Sequence, residues 1–287
     1  MEKGWFEIYS ELFKARLTLL VVLTTTVGCY VGFPGNVDYR LMLHTVLGTA
    51  LLASAASALN QLMERDYDAR MRRTQQRPLP SGRLQPQTVL LVGCVAAGLG
   101  LAYLALAVNT LTCLLAAFSL LSYLFVYTPL KRVTWLNTAV GAIPGALPPL
   151  MGWTAARGEL TREGWSLFAI LAFWQLPHFL AIAWIYRDEY ARAGFKMLPA
   201  IDPEGRRTGR LAVYFTIALL FASVCPFLFN LTGPVYLASA LFLGFTFLTF
   251  VIQLSRELTL SQARKLFYVS IFYLPALLLV MVLDKVK

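Results

Sequence analysis

Charge is scarce in this 287-residue chain. Asp, Glu, Lys and Arg make up 14% of it, against roughly 25% in soluble domains, and no polar tract is long enough to form a domain of its own. An ordinary soluble protein, a disordered chain and a globular nucleic-acid binder are thereby excluded. Cysteine is limited to Cys29, Cys94, Cys113 and Cys225, each inside an apolar run with no ligand-like spacing. Neither a disulfide scaffold nor a metal cluster is indicated, and all four are expected to be small buried hydrophobes. Histidine occurs twice, as His44 and His178. A Walker-type loop and a dinucleotide glycine fingerprint are both missing, so nucleoside phosphates are not implied.

What the chain has is apolar length: 58% of its residues are hydrophobic and the mean hydropathy is +0.63. Nine segments approach the ~17–25 residues that a helix needs to cross a ~30 Å hydrocarbon layer. They run Leu17 to Gly32, Leu41 to Met63, Thr88 to Val108, Leu111 to Thr128, Trp135 to Trp153, Trp165 to Tyr186, Leu211 to Asn230, Val235 to Leu254 and Leu266 to Leu283. The expected fold is all-α, a polytopic membrane protein with nine transmembrane helices around a central cavity. The fifth segment carries Gly141, Pro144, Gly145, Pro148 and Pro149. It is expected to bend or unwind, which lipid tolerates only where protein or a cavity satisfies the freed backbone groups.

Of the 25 basic residues, 20 fall on the side of the amino terminus; only Arg40, Arg157, Arg162, Lys285 and Lys287 fall on the other. The positive-inside rule therefore predicts a cytoplasmic amino terminus, with both large loops on that face and the carboxyl terminus outside. The +10 net charge reflects this asymmetry and not a nucleic-acid partner. Residues 1–16 mix Glu2, Glu7 and Glu11 with Lys3, Lys14 and Arg16 ahead of a run long enough to span, so no cleaved signal is expected. Trp5, Ile8, Tyr9, Leu12 and Phe13 recur at helical spacing, predicting a short interfacial helix whose part is anchoring rather than catalysis. One domain, 1–287, is expected, comprising this interfacial segment (1–16) and two cytoplasmic catalytic loops at 64–87 and 187–210.

Acids near a bilayer are costly, so clusters at span ends call for a reason. The second span ends in Asn60, Glu64, Asp66 and Asp68, and the sixth in Asp188, Glu189 and Tyr190, hinting at a weak repeat of halves. Asn60, Glu64 and Asp68 are spaced i, i+4, i+8, which stacks them on one helix face with neighbours about 6 Å apart along the axis. Two hard oxygen ligands at that spacing suit Mg²⁺ bridged to a diphosphate. Asp66 points off this face and is expected to pair with Arg70. The following loop holds Arg70, Arg72, Arg73, Arg77 and Arg83, and Lys131 and Arg132 lie on the same side. Acids and guanidinium groups together make an anion site that can hold a metal diphosphate from both sides. His44 is expected at the far interface. His178 lies mid-span beside Trp174; it is either a satisfied buried imidazole or a contact to a flat, metal-bearing substrate.

The run from Asn60 through Glu64 and Asp68 to Arg73-Thr-Gln-Gln-Arg77-Pro, with nine spans and a second acid cluster after the sixth, resembles the UbiA-type intramembrane prenyltransferase superfamily. Three more stretches resemble its protoheme IX farnesyltransferase (heme O synthase) family. They are Tyr127-Thr-Pro-Leu-Lys-Arg-Val-Thr-Trp-Leu-Asn-Thr, the Gly141 to Trp153 segment, and Pro177-His-Phe with Tyr190-Ala-Arg-Ala-Gly-Phe-Lys-Met-Leu-Pro199. The resemblance covers roughly residues 10–285. The chain departs from the pattern in having Glu64 where Asp is commoner, Gln76 where Asn is usual, and the pair Asp188 and Glu189 where a single Asp precedes Tyr.

The resemblance implies transfer of the farnesyl group of farnesyl diphosphate to a vinyl group of heme b, with water added, to give heme O. It implies Mg²⁺ on Glu64, Asp68, Asp188 and Glu189, and diphosphate stabilisation by Arg73, Arg77, Lys131 and Lys196. Asn60, Arg132, Tyr190 and His178 are implied as substrate contacts, with Tyr123, Tyr127 and Trp174 offering aromatic faces to an allylic cation. Ala53, Ser57 and the Gly/Pro-rich fifth span offer room for the tail. The implied setting is a bacterial plasma membrane in preference to a mitochondrial inner membrane, with a downstream heme A synthase or terminal oxidase assembly as partner. Two alternatives stand beside this reading. One is an enzyme of the same superfamily with a quinone-precursor or chlorin acceptor; the other is a heme- or lipid-handling transporter, since midspan breaks also mark transport sites.

Overall fold

Residues 4–286 are described by a computed structural model; Glu2, Lys3 and Lys287 lie outside them. A short helix α1 (Trp5–Leu12) precedes α2 (Ala15–Gly32), α3 (Tyr39–Asp68), α4 (Pro86–Ala107) and α5 (Thr110–Leu121). The last of these continues through a wide π-type turn, Ser122–Tyr127, into α6 (Thr128–Leu130). There follow α7 (Asn137–Arg157), α8 (Arg162–Ile185), the short α9 (Arg187–Ala193) and α10 (Leu198–Ile201), and then α11 (Arg206–Leu228), α12 (Pro234–Glu257) and α13 (Leu260–Leu283). Among the described residues, eight helices are long and apolar enough to cross a membrane, taking Thr110–Leu130 as one. The ninth expected span is α7, whose 21 residues rise ~31 Å at ~1.5 Å each but are diluted by Pro and Gly. Several helices outrun the apolar runs that announced them, α3 as far as Asp68, because polar residues continue a helix into the interface.

The proline-rich span does not unwind. Helix α7 runs unbroken through Pro144, Pro148 and Pro149. Pro148 cannot donate to the Pro144 carbonyl, and Ser119 Oγ on α5 does so instead at 3.0 Å. Close packing supports α7 on its other side: a Cβ at Gly28 of α2 would collide with the Pro149 carbonyl, and one at Gly152 with the Thr25 carbonyl. Glycine on both helices lets their backbones touch, which is how membrane helices gain contact without a hydrophobic drive.

One apolar core unites α8 with α11, α12 and α13 around Trp174, Trp184, Tyr236, Phe247 and Tyr273. A second joins α3, α4, α5 and α7 through Leu52, Leu104, Leu120 and Leu150. Outward faces carry Leu106, Phe221, Phe242 and Phe272, as a lipid solvent requires. Cys94 is on that exposed surface and not buried, while Cys29 is buried and Cys113 and Cys225 are half-buried. His44 Nδ1 lies 2.7 Å from the Tyr103 hydroxyl, bridging α3 to α4.

Helix α1 buries Ile8 and Leu12 against Ala58, Leu79, Leu84 and Val89 and leaves Trp5 71% and Phe6 87% exposed, the division an interfacial helix needs. Gln61 Nε2 donates to the Glu11 and Leu12 carbonyls at 3.0 and 2.8 Å, satisfying two of the acceptors that a helix end leaves open. The segment is thus bolted to α3 and is more than an anchor, because Lys14, two residues past α1, lines the cavity described below.

Candidate active site

A cavity of about 430 Å³ opens among α2, α3, α5, α7 and α8, within the ~300–1,000 Å³ of small-molecule sites. Asn60, Glu64 and Asp68 all line it, as one face of α3 must present residues four apart. Both carboxylates are buried and each is held by a cation. Lys131 Nζ donates to Glu64 Oε1 and Oε2 at 2.9 and 3.2 Å, and Arg77 Nη1 to Asp68 Oδ2 at 2.6 Å. Burial alone would depress the Lys131 ammonium, but Tyr127 and Glu64 outweigh it and hold its pKa above the usual lysine range.

A residue that sequence reasoning did not place in the site completes this ring. Lys14, in left-handed backbone (φ 47°) between α1 and α2, donates from Nζ to Asn60 Oδ1 at 3.1 Å. Asn60 Nδ2 in turn donates to Thr128 Oγ1 at 3.1 Å. Burial, reinforced by repulsion from Arg77 and Lys131, pulls the Lys14 pKa down to about 7. Its only signal in the sequence was a basic residue at a span edge, which the positive-inside rule already accounted for. With Arg73, the cavity lining carries four cations against two carboxylates, an excess that favours a polyanionic ligand.

The lining tyrosines depend on the π-type turn, which sequence periodicity did not reveal. Pro129 has no N–H for the Phe125 carbonyl, and the ladder shifts there: the Thr128 N–H bonds to the Tyr123 carbonyl, and Thr128 Oγ1 donates to the same oxygen at 2.9 Å. Tyr123 and Tyr127 then lie with rings 5.5 Å apart, and Lys131 Nζ stands 4.6 Å over Tyr127. Gly141 on α7 gives that ring its space; a Cβ there would strike it. Farther in, Ala53, Ser57, Trp174, Gln175 and His178 line the wall.

The second acid cluster does not face the first. Asp188 is 89% exposed beside Arg187, and neither it nor Glu189 lines the cavity. Among the described residues, no group of three or more His, Cys, Asp or Glu side chains could hold a metal ion. The helix breaks at Tyr186, and on α9 Tyr190 turns to the cavity; two residues back on a helix is about 200° around, so Asp188 faces away. Glu189 instead accepts from the Arg73 backbone N–H at 3.3 Å, while Arg73 Nη2 donates to the Tyr190 hydroxyl at 3.2 Å, a latch between the two loops.

Other expected contacts also move. Arg132 stacks 4.1 Å over Tyr67 and donates to the Met63 carbonyl at 2.9 Å, bracing α3 from outside the cavity. Lys196 has an exposed side chain; its backbone N–H donates to the Lys131 carbonyl at 2.7 Å. Asp66 pairs with Arg65 at 3.2 Å and not with Arg70, which lies over Tyr67. The donor set suits a small hard cation nonetheless, since Mg²⁺ takes one or two carboxylates and completes its shell with phosphate oxygens and water.

Comparison with known proteins bears on this geometry. The family model described as the UbiA prenyltransferase family matches residues 21–275. The protoheme IX farnesyltransferase of Solibacter usitatus (strain Ellin6076) is 47% identical over 286 residues, covering 96% of this chain and 98% of that protein. The protein of the same name from Salinibacter ruber is 43% identical, covering 96% and 98%. A solved structure of digeranylgeranylglyceryl phosphate synthase superposes with a TM-score of 0.82 at 16% identity, covering 97% of this chain and 98% of that one. A UbiA homolog from Archaeoglobus fulgidus bound to DMAPP and Mg²⁺ does so with 0.68 at 19%, covering 95% and 99%. At these identities the structural likeness establishes the fold.

Proposed function

We propose, from the premise that this chain belongs to the UbiA prenyltransferase family, that it transfers the farnesyl group of farnesyl diphosphate, with addition of water, to a vinyl group of heme b. The observation that carries the proposal is the pairing of Glu64 and Asp68 with Lys131 and Arg77 on the wall of one apolar-roofed cavity. Two carboxylates and a surplus of cations are what a metal diphosphate needs, and an aromatic chamber is what an allylic cation needs. Bound there, Mg²⁺ would be held by Glu64 and Asp68 and would supply Lewis-acid stabilisation of the departing diphosphate.

The chain's own residues supply the rest. When the carboxylates serve the metal, Lys131 and Arg77 are freed to grip phosphoryl oxygens, joined by Lys14 and Arg73. The allylic C–O bond breaks with its electron pair going to the diphosphate. Tyr123, Tyr127 and Trp174 offer π faces to the cation and keep bulk water out. The vinyl carbon closes the new C–C bond, and the cation left on the acceptor takes the oxygen of a water molecule, which then gives up a proton. The excess of basic residues at the Lys14 end supports a cavity mouth at the cytoplasmic face of a bacterial plasma membrane.

The test is product mass. Purified protein with farnesyl diphosphate and Mg²⁺ is offered heme b or 4-hydroxybenzoate. Heme gaining one farnesyl group and one water, and losing that activity on chelation, supports the reading. Prenylated 4-hydroxybenzoate with unmodified heme overturns it.

A further inference from the structure

Deep in the cavity, hydrogen bonding fixes the state of one ring. His178 Nδ1 is 2.6 Å from Ser270 Oγ on α13, and that same oxygen is 2.6 Å from the Phe267 carbonyl. A hydroxyl has one proton and a carbonyl oxygen can only accept. Ser270 therefore donates to Phe267 and accepts from His178. The ring proton sits on Nδ1, and Nε2 carries a lone pair.

The ring is also held in place. It is stacked on Trp174 at 4.9 Å and 19° and on Phe267 at 5.3 Å and 26°. Trp174 Nε1 donates to the Ser270 carbonyl at 2.9 Å, tying α8 to α13 at the same residue. Ser270 is fully buried. His178 lines the cavity, and among the described residues its Nε2 has no hydrogen-bond partner. An imidazole with one nitrogen tied to an acceptor and the other facing open space is how proteins present a histidine to a metal, the outer partner setting tautomer and orientation.

We propose that Ser270 is a positioning residue that fixes His178 in its Nδ1–H tautomer, so that Nε2 coordinates the iron of the porphyrin substrate. This rests on the assignment of heme b as acceptor. It deepens that assignment by giving the acceptor an anchor of its own: the macrocycle is held at the α8–α13 wall while the diphosphate is held at the α3 end. Two independent anchors set the vinyl group against the allylic carbon.

The experiment uses the full chain in lipid nanodiscs, titrated with ferric heme b, with the Soret band, low-temperature EPR and product mass followed on the same preparations. Wild type is expected to give a histidine-ligated spectrum. His178→Ala loses it and regains it on adding imidazole. Ser270→Ala, a one-atom change, weakens heme affinity ~10–100-fold, the usual consequence of losing an outer partner of a metal ligand, while Ser270→Thr keeps the hydroxyl and the wild-type spectrum. A wild-type spectrum and affinity in His178→Ala, or in Ser270→Ala, overturns the inference. If wild type neither binds heme b nor yields farnesylated heme, the acceptor assignment fails and this inference with it. Normal wild-type product with unshifted variant spectra defeats only the Ser270–His178 assignment.

Discussion

Glu64 and Lys131 offer a test that separates architecture from chemistry. Their side chains are 5% and 16% exposed, so removing one leaves the other charged with little water to receive it. Breaking such a buried pair costs ~3–5 kcal/mol; because the cavity admits some solvent, about 2–3 kcal/mol is expected for Glu64→Gln and for Lys131→Gln. At roughly 2–4 °C per kcal/mol each single variant should melt roughly 5–10 °C below wild type. The double variant faces two amides to each other with no stranded charge, and its cost should fall short of the sum by ~1–3 kcal/mol, the range of coupled neighbours. Turnover should behave otherwise. Each single variant should lose at least ~10²-fold, the scale for one transition-state contact, and the double should recover none of it. Thermal unfolding in detergent and product mass, measured on the same preparations, give both axes of the cycle. Additive melting shifts would refute the energetic pairing. Recovery of turnover alongside stability would refute the assignment of either side chain to the diphosphate site.

Three more outcomes follow from the geometry. Lys14 is a cation below about pH 7 and neutral above it, and a diphosphate prefers the cation, so KM for the prenyl substrate should rise between about pH 6 and pH 8; Lys14→Ala should raise KM ~10-fold or more and flatten that rise. Asp188→Asn should leave turnover within about twofold of wild type, as expected for an exposed surface charge, whereas Glu189→Gln should lower it by loosening the Arg73 latch; equal losses in the two would contradict the placement of α9. Gly152→Ala drives a methyl group into the Thr25 carbonyl and should cost ~1–3 kcal/mol of stability, seen as a lower melting temperature; an unchanged melting curve would mean that α2 and α7 do not pack this closely.

The sequence announced the spans and the first acid face because each depends on one local rule. Apolar length marks a membrane helix, and a four-residue repeat marks one side of it. It misplaced what depends on where a helix stops. Asp188 and Glu189 sit in the right stretch of chain, but the break at Tyr186 resets the helix and points Tyr190 inward in their stead. Arg132 and Lys196 have the charge a diphosphate wants, yet which way a side chain such as that of Arg132 leans is decided by a neighbour, Tyr67, that lies far off in sequence. Lys14 was hidden by an adequate general explanation for basic residues at span ends. In α7 the prolines did signal missing donors, but the hydroxyl of Ser119 that replaces one of them belongs to another helix, and no reading along the chain could pair them.

The wide turn at Ser122–Tyr127 acts as an angular spacer. A π-type turn is equivalent to one extra residue threaded into an α-helix, and one residue is worth about 100° of rotation. Every position beyond it, Lys131 included, is dialled round by that amount relative to α5. Regularising the turn to plain α geometry at unchanged length would keep the fourth crossing apolar and long enough, yet would swing the ammonium off its carboxylate, whereas deleting one residue there could be absorbed by the turn itself. The register that brings Lys131 to Glu64 is thus carried by an irregularity that hydropathy cannot sense.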